Sequence, residues 1–274
     1  MPKSPPNAPG WSRSSALTSD VTPVGPAGLV ESVSPVESVK QPARPRQRGA
    51  RRRAASMRVP TSDDLERLFR TMMESMGPTG WWPAESLYEI MVGAVLIQNA
   101  SWRNADRSLD ALRAADALDP RVIASMDNER LQDLIRPSGF FRNKSRALQA
   151  VTRWYLDRCG ADPGRVVGVP DDELRAEMLG LFGIGNETAD DLLLYVFDRR
   201  VFIADTYSRR LFRFLGYDVP DGYSAFRAIY HPIALASGLT VADCKEFHGL
   251  IDEYGKQYRD DEAKAGSFLA GWRA

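Results

Sequence analysis

The sequence predicts an all-α protein. Three observations carry that reading. Apolar residues recur at helical spacing from Thr61 almost to the C-terminal end, Gly and Pro punctuate the intervals, and strand-like alternation never lasts beyond a few residues. Val201-Phe202-Ile203 is too short a run to build a sheet.

Taken in order, Ser62 is read as the cap of a first helix with Leu65, Leu68, Phe69, Met72 and Met73 on one face, broken by Gly77-Pro78-Thr79-Gly80. After Trp81-Trp82-Pro83 comes a helix through Leu87, Ile90, Met91, Ala94, Val95 and Leu96; apolar on most sides, it belongs at the buried centre of a bundle. Further helices are expected over about 102–114, 128–135, 142–158 and 171–181, with Phe140-Phe141-Arg142-Asn143-Lys144 as a loop turned by Gly139. The pattern of Leu174, Met178 and Leu181 stops at Gly183-Ile184-Gly185, and a second helix, 186–197, starts at once with Ala189, Leu192, Leu193 and Val196 on one face. Two glycines around one aliphatic residue allow φ > 0 and a close backbone approach. The free N–H groups of this hairpin and of the next first turn suit a phosphate.

A helix over 186–197 is about 18 Å long, and the seven residues after it can span about 23 Å when extended. The chain can therefore return to the hairpin level and set Asp205 there. Asp205-Thr206 also reads as the start of a helix through Leu211, Phe212 and Leu215, ended by Gly216, with helices over about 222–236 and 240–262 to follow.

The chain is 274 residues long, 43% hydrophobic and 26% charged, ordinary for a globular protein. No apolar run reaches transmembrane length and no signal-peptide pattern opens the chain, so a cytoplasmic location without membrane partners is expected. Cys159 and Cys244 are two thiols, too few for a disulfide framework, and are expected reduced and partly buried. His231 and His248 lack metal-ligand spacing, and no metal site is expected. The net charge of zero hides an asymmetry: residues 1–60 hold ten Lys+Arg against three Asp+Glu, so the remainder carries −7. Residues 1–58 are rich in Pro, Ser and Arg and read as a disordered basic tail. They are a solvated tail, a non-specific DNA tether, or a stretch preceding a true start at Met57.

Gly183-Ile184-Gly185-Asn186-Glu187-Thr188-Ala189, followed by Ala204-Asp205-Thr206-Tyr207, resembles the helix–hairpin–helix DNA glycosylase superfamily that includes endonuclease III. Within it the chain looks most like the endonuclease III-type 3-methyladenine DNA glycosylases that lack an iron–sulfur cluster. The resemblance covers roughly residues 60–262. It implies a two-lobed all-α fold, with a helical barrel over 79–199 and a second lobe from 59–78 plus 200–274, and a base pocket between them. An iron–sulfur cluster, which takes about four cysteines, is excluded by the count of two; the resemblance allows a monovalent cation at the hairpin.

Each candidate site residue reads two ways. Asp205 is a carboxylate that stabilises positive charge on the sugar and orients water, or a helix cap. Glu187 stands where bifunctional relatives carry a nucleophilic lysine; a carboxylate forms no imine, so a monofunctional enzyme is implied, while Glu187 itself can be a plain first-turn acid. Trp81, Trp82 and Trp102 suit a pocket that stacks a flipped, cationic alkylpurine through cation–π contacts worth about 0.5–2 kcal/mol per ring, or they are core. Gln98 and Asn99 resemble the wedge that fills the gap left by a flipped nucleotide, or they cap a helix C-terminus. Lys256 matches a pocket-side lysine of the relatives, neutralised or turned away, or is a solvated helix lysine. Gly183 and Gly185 would anchor phosphate.

The function so implied is excision of alkylated purines, 3-methyladenine foremost, from damaged double-stranded DNA by a monomer. The competing readings are a glycosylase for mismatched or oxidised bases and a non-catalytic DNA-binding module. An acidic body is unusual for a nucleic-acid binder. A DNA-facing surface would need basic residues gathered on one face, with Arg142, Lys144, Arg146, Arg209, Arg210 and Arg213 as candidates.

Overall fold

The computed structural model describes residues 58–272, so the tail lies outside the described residues. Among these, the regular structure is helical throughout, with no strand. No described helix is long and apolar enough to cross a membrane.

Helix α1, Ser62–Met76, is capped by Thr61, one residue earlier than the sequence suggests. Thr61 Oγ1 accepts from the Asp64 N–H at 3.1 Å while Asp64 Oδ2 accepts from the Thr61 N–H at 3.0 Å. The third-position acid explains the shift: Ser62 has no such partner, and a reciprocal cap satisfies two free donors at once. Helix α2, Leu87–Leu96, is buried from Tyr88 to Leu96 and packs on α3 (Trp102–Ala114), α6 (Phe141–Cys159) and α8 (Asn186–Tyr195). It is the bundle's centre, as its all-round apolar surface predicts.

Between α3 and α6 lie α4, Pro120–Ser125, and α5, Asn128–Leu134. Six residues show no period, which hides α4 from the sequence, although Asp119 as cap and Pro120 in the first turn mark its start. Phe141 to Lys144 are the first turn of α6 rather than a loop; the turn is confined to Gly139 at φ 67° and Phe140 at φ 46°. Lys144 leaves the basic-face candidates. It is buried, donating from Nζ to Leu96 O at 2.8 Å and Ser138 O at 2.7 Å. Burial draws its pKa down to about 8. It thereby ties the last carbonyl of α2 to the turn at Ser138.

The remaining helices are α7 (Asp171–Leu179), α9 (Thr206–Phe214), α10 (Tyr223–Ala236), α11 (Val241–Gln257) and α12 (Asp261–Ala265). The last two divide what the sequence shows as one helix, because Asp260 caps a fresh start at Ala263 N. Helix α8 ends at Tyr195, two residues before its expected end. Helix α1 packs on α10 and α11, bringing both ends of the described chain together.

One buried acid locks the elements that carry the hairpin. Asp190, fully buried on α8, accepts from Arg175 Nε of α7 at 2.8 Å, Arg227 Nε of α10 at 2.7 Å and the Tyr223 hydroxyl at 2.8 Å. Arg175 also reaches Asn186 Oδ1 at 2.9 Å, tying the start of α8 to α7.

Candidate active site

Hairpin geometry comes first. Gly183 sits at φ 78°, and a Cβ there would fall 2.6 Å from Ala147 Cβ, so both conformation and space demand glycine. Gly185 is extended at φ −94°, ψ −179°, and serves as the uncapped start of α8 with open space where a Cβ would stand. Only the first glycine uses the left-handed freedom; the second keeps the backbone approachable. The first N–H groups of α8 have no partner within the helix.

Gln98 is committed to this hairpin. Its Nε2 donates to Gly183 O at 3.0 Å and Thr188 Oγ1 at 2.8 Å, whereas Asn99 is exposed at φ 50°. Of the two wedge candidates, Asn99 alone has a side chain free to enter a duplex. A monovalent cation at the hairpin would share the Gly183 carbonyl with Gln98, and the described His, Cys, Asp and Glu residues form no group suited to a metal.

Residues 199–205 bring the chain back from α8. Phe202 is buried against Phe212, Phe226 and Tyr230, with ring centroids 5.8–6.1 Å apart, and its N–H donates to His231 Nδ1 at 3.3 Å. The anchored segment delivers Asp205 to the start of α9. There Asp205 Oδ1 accepts the Ser208 N–H at 2.7 Å, while Ser208 Oγ donates to Ile203 O at 2.8 Å. The cap and the site are therefore one residue in two roles. Oδ1 holds the helix, and Oδ2 takes no hydrogen bond among the described residues although the side chain lines a cavity.

That cavity, about 350 Å³, falls within the range of small-ligand sites. It is lined by Trp81, Trp82 and Trp102, by Asp205 and Tyr207, by His248, Asp252 and Lys256 of α11, and by Glu187 and Asp191 of α8. The indole centroids lie 5.1–5.8 Å from one another. An aromatic guest between two rings needs roughly 7 Å, twice the usual contact distance. An aromatic ring therefore does not fit between two of these indoles, and only their outer faces are open to one. Lys256 is neutralised: Nζ lies 2.6 Å from Asp252 Oδ2 and 2.9 Å from Glu253 Oε1, with the Trp81 ring 5.0 Å away. Burial lowers its pKa, but those two carboxylates more than offset this, and it stays above the ordinary lysine value.

Two acids of the cavity, Glu187 and Asp191, are raised, by burial first and by neighbouring carboxylates second. Glu187 touches solvent at the open side, yet the surrounding walls and then the Asp205 carboxylate push its pKa up to about 7. Asp191, one helical turn along α8, is 7% exposed and pushed well above the usual carboxylate range, first by burial and then by Glu187 and Asp205. His248 Nδ1 pairs with the Tyr195 hydroxyl at 2.7 Å, and burial lowers its pKa against the pull of Asp205 and Asp252. It is neutral at pH 7.

Every substrate-side candidate from the sequence meets at this cavity. Asp191, Asp252, His248 and Tyr207 were not singled out. A signal existed for most of them: His248, Asp252 and Lys256 follow at intervals of four on α11, and Asp191 lies four after Glu187 on α8. Of the basic candidates, Arg142, Arg146, Arg210 and Arg213 are exposed and Arg209 is half-buried; Arg146 lies 3.9 Å over the ring of Phe182, itself exposed beside the hairpin.

Comparison with known proteins places this geometry. Residues 92–228 match the family model of the HhH-GPD superfamily base excision DNA repair proteins. A Methanocaldococcus jannaschii protein described as a DNA repair glycosylase is 36% identical over 197 residues, 71% of this chain and 88% of that protein. The structure of the H. pylori 3-methyladenine DNA glycosylase bound to 1,N6-ethenoadenine superposes with a TM-score of 0.61 at 26% identity, covering 73% of this chain and 98% of that one. An endonuclease III–DNA complex shares the fold, with a TM-score of 0.58 at 19% identity over 74% and 89% of the two chains. On these grounds the chain belongs to the HhH-GPD superfamily of base excision DNA repair proteins and is a DNA repair glycosylase of that family.

Proposed function

We propose that this chain is a monofunctional DNA N-glycosylase that removes alkylated purines, 3-methyladenine foremost, from double-stranded DNA, acting as a monomer. One observation supports this above the rest: three indoles and Asp205 converge on a single cavity whose hairpin-side helix offers Glu187 where a lyase needs an amine. An alkylated purine is cationic and already a good leaving group, so an electron-rich stacking surface and nearby carboxylates favour it over neutral bases. The flipped nucleotide enters base first. Its backbone lies along Gly183 and Gly185, and Asn99 fills the space it leaves. Asp205, fixed through Oδ1, presents Oδ2 to the charge developing at C1′ and to the attacking water.

The test is chromatography of bases released from methylated DNA by the full chain, run beside duplexes carrying oxidised bases or thymine mismatches. The expected result is free 3-methyladenine, abasic sites left uncut, and no covalent adduct trapped by borohydride. Release confined to oxidised or mismatched bases, or a trapped adduct, contradicts the proposal.

A further inference from the structure

One pocket acid has no part in the scheme above. Asp191 lines the cavity, is more than nine-tenths buried, and its Oδ1 has no hydrogen-bond partner. An ionised carboxylate left so is costly, whereas a neutral carboxyl carries an O–H in search of an acceptor. Burial first, and neighbouring charges after it, set which form is present. Glu187 and Asp190 lie on its own helix, Asp205 faces it from the start of α9, and Asp252 from α11. Asp190 is matched by Arg175 and Arg227, and Asp252 by Lys256. The remaining facing groups, His248, Tyr195 and Tyr223, are neutral at pH 7. No cation pairs with Asp191 among the described residues, and its acid neighbours hold the proton on it.

Placement gives the O–H a task. Asp191 and Asp205 are equally enclosed and line one cavity with the three indoles. A base stacked on an indole face with its sugar beside Asp205 therefore lies in the space that Asp191 also faces. We propose that Asp191 is a general acid for neutral leaving bases, extending the enzyme from cationic alkylpurines to uncharged purine lesions that present a ring-nitrogen acceptor. This rests on the glycosylase reading of the cavity. The Asp191 proton moves to a ring nitrogen of the base, the C1′–N bond breaks with its electron pair staying on the base, and the base leaves uncharged. Water forms the new C1′–O bond and gives its proton to Asp205, and solvent restores the proton to Asp191. A cationic alkylpurine leaves uncharged without that proton, so it does not need Asp191.

Single-turnover excision by the full chain, Asp191→Asn and Asp191→Ala is measured from pH 5 to 9 on two duplexes. One is a methylated duplex scored for release of 3-methyladenine, which is cationic in DNA; the other carries hypoxanthine or 1,N6-ethenoadenine, which are neutral. The expected wild-type rate on the neutral base falls as pH rises while the cationic base shows no such fall. Both variants lose about 10²-fold or more on the neutral base, the scale of a lost general acid, and under about threefold on the cationic one. Thermal melting at least equal to wild type shows that Asp191→Asn folds. Release of the cationic base alone by wild type, or equal losses on both bases, overturns this inference and leaves the alkylpurine reading standing. Release of neither base overturns both.

Discussion

Asp205 caps α9 with one oxygen and, in the proposed reaction, serves the sugar with the other, and the two roles can be separated. Oδ1 caps α9 through Ser208 N, and asparagine caps as well as aspartate. Asp205→Asn should therefore melt within a degree or two of wild type, whereas Asp205→Ala should lose about 0.5–2 kcal/mol of stability by denaturant titration. Glu187 makes a second prediction at this scale. Its pKa rises from an ordinary 4.5 to about 7 on folding, so between those values the folded chain holds more protons and loses stability as pH climbs. Glu187→Gln removes that penalty. Its melting temperature should exceed wild type by roughly 1–3 °C at pH 7.5, a modest gain because the group touches solvent, and the difference should vanish near pH 4. Equal melting at both values would refute it. Much of this site was legible in the sequence. Asp205 and the tryptophans announce themselves by spacing and type, whereas the bonds of Gln98 to Gly183 and Thr188 join residues 85 and 90 positions away and leave no local signal.

The elements around the hairpin are held by a single charge. Asp190 joins α7, α8 and α10 through Arg175, Arg227 and Tyr223, and removing it strands two guanidiniums that are 17% and 19% exposed. Breaking a buried pair by deleting one partner costs about 3–5 kcal/mol. Asp190→Asn should lower the melting temperature by on the order of 10 °C, and a shift of under two degrees would contradict the network's role. Long helices with a full apolar face were readable from periodicity alone. Helix α4 was not, because one and a half turns show no period. The division after α11 was missed because the apolar pattern continues across Asp260, where a capping side chain, not hydrophobicity, restarts the helix. Lys144 shows the same limit: its type suggests a surface, and only the packed ends of α2 and the turn at Ser138 reveal its buried partners.

Charge is the property of the whole chain. Residues 1–60 carry +7 and the rest −7, so the folded body meets DNA against its own net field. Local basic side chains such as Arg142, Arg146 and Arg210 must then act over a short range. Removing residues 1–57 should weaken duplex binding and flatten the slope of log affinity against log salt by roughly 0.9 for each phosphate the segment contacts. The single-turnover excision rate at saturating enzyme should not change; an unchanged salt slope would show that the segment contributes no DNA contact. In the proposed reaction one carboxylate beside three indoles breaks the glycosidic bond. Its most direct test is single-turnover release of 3-methyladenine by the full chain and by Asp205→Asn at saturating enzyme. A fall of about two to four powers of ten with folding and DNA binding intact is predicted. A variant that releases the base at the wild-type rate would contradict the account.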